Sequence, residues 1–181
     1  MQTIEEQGHV IGRNWQQELE LPTYQEEWEA MATVRGMSLR HVRFIVMDQS
    51  ASRLPGHARL QPKAVILPST CPFELGHTGF VIGNVYGFVT GFDELRELIP
   101  SLFNIEIPTE PEGDFIIGTA RLFDSALAQK AWEGLQLGIF THVCPMIFTP
   151  AESPGMQRLA QVSLVPGDFV GCEGARILTT W

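Results

Sequence analysis

The chain has 181 residues, 44% of them hydrophobic and 18% charged, which suits one globular domain with a sizeable core. Its formal net charge is −9, and its two lysines (Lys63, Lys130) and ten scattered arginines form no visible basic patch, so no nucleic-acid partner is expected. No apolar run approaches the ~20 residues of a membrane span, and the opening MQTIEEQGHVIG lacks a basic and an apolar region, so neither a membrane partner nor a secretory leader is expected.

Residues 1–36 form an acidic extension. Within it, Thr23-Tyr24-Gln25-Glu26 is a capping box, and Tyr24, Trp28, Met31 and Ala32 follow at helical spacing up to Gly36. That helix can dock on its own core or serve as a handle for a partner. Residues 37–181 read as one further domain. HVRFIVM (41–47) alternates as a half-buried strand. A polar loop is expected over 48–62 and a strand over 63–67. Residues 67–79, LPSTCPFELGHTG, read as irregular because two prolines and two glycines interrupt them. FVIGNVYGFV (80–89) reads as a strand whose glycines suggest a bulge or tight bend.

A short helix is expected over 91–100, stopped by Pro100, then a turn over 108–114 and a strand over 115–123. DSALAQKAWEGLQLG (124–138) is the clearest helix, capped by Asp124 or Ser125, with Leu127, Ala131 and Leu135 on one face, Trp132 beside it and Gly138 at its end. An apolar stretch, GIFTHVCPMIF (138–148), follows, then a loop (149–156) and strands over 161–165 and 175–180. Many short strands with few helices predict an α+β fold around a mostly antiparallel, barrel-like sheet with flanking helices.

Five histidines and three cysteines are the candidates for chemistry. No phosphate loop, dinucleotide fingerprint or paired CxxC occurs, so no cofactor is expected. On a strand, His142 and Cys144 point to the same side, with Cβ atoms roughly 6–7 Å apart. That is long for a direct nucleophile–base hydrogen bond, though a water or a second histidine could bridge it. Cys144 is therefore a candidate nucleophile or a small buried apolar residue. Cys71, His77, His142 and Cys144 have the atom types for zinc but no standard spacing, so no metal is expected. Cys172 reads as a turn residue, and three widely spaced cysteines read as thiols. Trp28 and Trp181 are large aromatics suited to an interface.

Four segments taken in order resemble one family: GHTGFVIGNV (76–85), GDFIIGTARLFDSALAQKAWEGLQLG (113–138), GIFTHVCPMIF (138–148) and LAQVSLVPGDFVGCEGARI (159–177). The family is the prohead maturation proteases of tailed bacteriophages, the HK97-type relatives of herpesvirus assemblin. In it a histidine precedes an Ile-Gly pair, a strand and amphipathic helix follow, a glycine-ended turn leads to the strand with the serine nucleophile, and a strand like Glu-Val-Ser-Leu-Val closes the unit. Here His77 precedes Ile82-Gly83, and Val162-Ser163-Leu164-Val165 fits the closing strand. The resemblance covers roughly residues 57–178.

The departures fall on the chemistry. Cys144 stands at the serine position, Pro145 follows it, and Gln161 replaces the acidic residue before Val-Ser-Leu-Val. A thiol can still attack if a histidine lowers its pKa. Proline removes a backbone N–H, and glutamine can orient a histidine without supplying charge. Two functions are then implied. One is a virion structural protein, a decoration or minor capsid component in the phage head, assembled in the host cytoplasm and no longer proteolytic. The other is a cysteine endopeptidase cleaving scaffold and capsid protein, with Cys144 as nucleophile, His77 as base, and His142 or Gln161 as orienter. Both imply the major capsid protein and possibly scaffold protein as partners, in a homo-oligomeric or capsid-bound state. A third reading is an unrelated α+β binding domain.

Overall fold

The computed structural model describes residues 37–50, 61–91, 113–152, 156–167 and 174–181. The capping-box helix with Trp28, Cys172 and all of the helix expected over 91–100 except Gly91, which ends a strand, lie outside the described residues.

Long alternating stretches make the frame. β1 (Met37–Met47) sends Val42, Phe44 and Val46 inward, all with no exposed surface, and it is four residues longer than its alternation predicts. A 3-10 turn (Pro62–Ala64) and the two-residue β2 (Val65–Ile66) replace the strand expected over 63–67. β3 (Cys71–Leu75) occupies the segment expected to be irregular. β4 (Val81–Gly91) and β5 (Phe115–Phe123) follow, the second with the expected bounds. Helix α1 (Ala126–Gln136) is capped by Ser125, whose hydroxyl accepts from the Ala128 N–H at 3.2 Å. Gly138, at φ +70°, ends it in the left-handed conformation that glycine takes without strain. β6 (Phe140–Phe148), β7 (Gln157–Pro166) and β8 (Ile177–Thr180) complete the fold.

The strands form one eight-stranded sheet in the order β2-β7-β3-β4-β5-β1-β8, with β6 also paired to β7. β2 and β3 run parallel to β7, and the other pairs are antiparallel. The sheet curls enough to stack Phe44 of β1 on Phe73 of β3, with ring centroids 5.3 Å apart. It remains open, which corrects the barrel-like expectation. β6 and β8 meet through a His142–Arg176 bridge, and the Val143 N–H donates to the Ala175 carbonyl just before β8 at 3.1 Å. One α-helix, not several, flanks it among the described residues. Leu127, Ala128 and Ala131 of that helix are buried against the inner face, and Leu135 and Trp132 pack at its margin. Burying a Leu side chain is worth roughly 1.5–3 kcal/mol, so this apolar face sets how α1 docks.

Candidate functional site

β6, β7 and β3 lie side by side, and their register sorts the site from the core. Val143 pairs with Leu164, and Leu164 with Leu75; all three are core residues. One step along, Cys144 pairs with Ser163, and Ser163 with Glu74. Paired residues share a face and successive residues alternate. Cys144, Ser163 and Glu74 therefore form a row on the face opposite the core. His142 and Met146 share that face with Cys144, as the alternation along β6 predicts.

The row is polar and largely enclosed. Ser163 has no exposed surface, and its hydroxyl has no hydrogen-bond partner among the described residues. Glu74 is 7% exposed; its carboxylate accepts from the Gln161 side-chain amide at 2.7 Å. Burial pushes the Glu74 pKa up, while the bonds from Gln161 and the Gly79 N–H pull it partly back. Cys144 is half-buried. Cys71 faces the core, where burial pushes its thiol to about 11, so it cannot join Cys144 in a shared site.

His77 sits just past β3, in the turn that leads to β4. The Gly76 N–H anchors this turn to the Leu164 carbonyl at 2.9 Å. At φ +58°, His77 is the only described residue other than glycine in the left-handed region. Such a conformation costs of the order of 1 kcal/mol and collects at functional positions. Burial lowers its pKa, so the imidazole tends to be neutral. His142 lies on β6, with its Nδ1 2.8 Å from the Thr141 hydroxyl.

The backbone around Cys144 decides what its sulfur can do. The Val143 N–H points away from β7, to the Ala175 carbonyl. The register from Val143 to Pro145 is unbroken, so the Cys144 N–H points into the β7 ladder. The Pro145 nitrogen lies on the outer edge, where a strand tolerates proline because no ladder bond is lost. One of the two backbone donors nearest the sulfur is thus engaged and the other does not exist.

The structure gathers Cys144, His142 and Gln161 on neighbouring strands and puts His77 at the end of β3. It adds Ser163 and Glu74, which sequence reasoning missed. Ser163 lay inside a quoted motif, as the one hydroxyl in an apolar run; Glu74 was hidden in the segment read as irregular. Among the described residues, no group of three or more His, Cys, Asp or Glu side chains could hold a metal ion, and no helix is long and apolar enough to cross a membrane. Compared with protein-family models, curated proteins and solved structures, the chain matches none.

Proposed function

We propose that this chain is a structural protein of a tailed-phage head, a decoration or minor capsid component on a prohead-protease-like fold that no longer cleaves peptides. The resemblance supplies the family. The succession β5, α1, β6, β7 agrees with the strand, helix, nucleophile strand and closing strand it implies. The observation that carries the loss of proteolysis is the backbone beside Cys144. A tetrahedral intermediate needs donors aimed at its oxyanion, and losing one costs about 3–4 kcal/mol. The Cys144 N–H is directed into the ladder, and Pro145 has none. The Gln161 amide, at the acidic position, is bonded to Glu74.

Contact with the major capsid protein, and possibly scaffold, has a suitable surface. Ile66, Met146, Phe148 and Met156 are 39–46% exposed on or beside strands β2, β6 and β7. Exposed apolar groups collected in one region mark interaction surfaces. Mass spectrometry of purified virions tests the reading: full-length copies are expected, and particles without them contradict it.

The cysteine-endopeptidase reading retains two specific observations in its favour. Cys144 is half-buried rather than sealed, and the strained His77 lies on the hairpin next to its row. If cleavage of capsid or scaffold protein occurs on co-expression and is lost in a folded Cys144→Ala variant, this reading replaces the first.

A further inference from the structure

The ten arginines look scattered in sequence, and on that ground no nucleic-acid partner is expected. The register of β4, β5, β1 and β8 removes that ground at one place. Asn84 pairs with Arg121, and Arg121 with His41. His41 and Trp181 exchange backbone hydrogen bonds of 2.8 and 3.1 Å. In the next row Gly87 pairs with Thr119, Thr119 with Arg43, and Arg43 with Thr179. Val42, Val85 and Ala120, between these rows, face the core. Both rows therefore lie on the outer face of the sheet.

The side chains there form a platform. The Trp181 ring stacks on His41 at 5.3 Å and 7°, and the Arg43 guanidinium sits 4.8 Å from the Trp181 ring centroid. Trp181 is 49% exposed and Tyr86 48% exposed. The Tyr86 hydroxyl is 3.0 Å from His41 Nδ1, which fixes it beside the platform. Arg121 is held by its Nε, which donates to the Ser38 carbonyl at 2.5 Å. Arg43 is likewise steadied, its Nε donating to the Thr119 hydroxyl at 3.3 Å. Neither row contains an acidic residue.

We infer that this face binds single-stranded nucleic acid, with a base stacked on Trp181 and phosphates held by Arg121 and Arg43. Every base has a planar face that an exposed aromatic ring can take, and guanidinium forks match phosphate oxygens. An acidic peptide could pair with the arginines but would stack on the platform only where it carries an aromatic side chain, whereas every nucleotide brings both a phosphate and a planar base. The net charge of −9 opposes long-range attraction, so contact is short-range and confined to this face.

The test is fluorescence anisotropy of the full chain with a labelled short single-stranded oligodeoxythymidylate across a salt series. Two phosphate contacts predict a slope of log affinity against log salt of about −1.4, at ~0.7 per phosphate for single strands. Arg121→Gln should weaken binding and bring the slope to about −0.7. Trp181→Ala should weaken binding about ten-fold or more with the slope unchanged, and Trp181→Phe should restore most of it. Thermal melts of each variant exclude unfolding as the cause. No binding at low salt, or binding indifferent to both substitutions, overturns the proposal. Equal affinity for a glutamate-rich peptide or for thymidine monophosphate also overturns it.

Discussion

Two glycines and a histidine show how much single residues carry. Gly83 is the glycine of the Ile-Gly pair, held between Phe73 of β3 and Leu122 of β5. A β-carbon there would overlap the Arg121 carbonyl, which is backbone and cannot turn aside. Gly83→Ala should cost about 1–3 kcal/mol, the range of overpacking, read as a lower midpoint in denaturant. Gly138 is the contrast: nothing lies within 4 Å of an added β-carbon, so Gly138→Ala should cost only the left-handed backbone term, about 1–2 kcal/mol. For His77, replacement by glycine should relieve the left-handed strain but also remove a half-buried ring and free the unfolded chain, so its midpoint should shift less than that of Gly83→Ala.

The shifted histidines fix a pH dependence. Burial lowers the His77 pKa; burial, then the charges of Arg121 and Arg43, lower that of His41. The folded state thus favours the neutral forms. No stability is lost above the ordinary value of 6.5, and stability falls as pH drops below it towards the lowered folded values. Melting temperature should decline between pH 7.5 and 5.5, and less so in His77→Asn. The Gly83 motif and the left-handed Gly138 were legible from residue type. The conformation of His77 was not, because nothing in its sequence neighbourhood forces a histidine into that region.

At the scale of elements, legibility followed periodicity. β5 was readable as a short apolar run between a turn and a helix, and α1 because its helical spacing, a capping serine and a terminal glycine all agreed. Ser125→Ala should therefore cost about 1 kcal/mol, the usual worth of such a cap, measured by chemical denaturation. β3 was unreadable because Pro68 stands just before it and Pro72 lies within it. Pro72 faces solvent at the second position of the strand, before the ladder with β7 begins at Phe73. With β3 missed, Glu74 could not be put beside Ser163 and Gln161. The face shared by His142 and Cys144 was legible, since alternation along one strand needs no tertiary information. Their neighbours across β7 were not, because register is a property of pairs of strands.

At the scale of the whole molecule, the α+β class followed from the pattern of elements, while closure of the sheet did not. An open sheet with a curled interior leaves one outer face, which carries the Cys144 row over β6, β7 and β3 and the arginine and aromatic rows over β4, β5, β1 and β8. Neither set of rows is visible in composition, since the net charge averages over both. If the apolar side chains on and beside β2, β6 and β7 seat the protein on a capsid, Met146→Ser with Phe148→Ser should reduce its copy number per particle several-fold. The isolated chain should melt as before, since both residues are already 45–46% exposed.

The most direct measurement co-expresses the full chain with the capsid and scaffold proteins proposed as its partners and follows all three by intact mass, beside a Cys144→Ala variant. The account predicts uncut partners and a full-length chain in the purified particles, identical for the two proteins. Cleavage of either partner that disappears in the folded Cys144→Ala variant would contradict it.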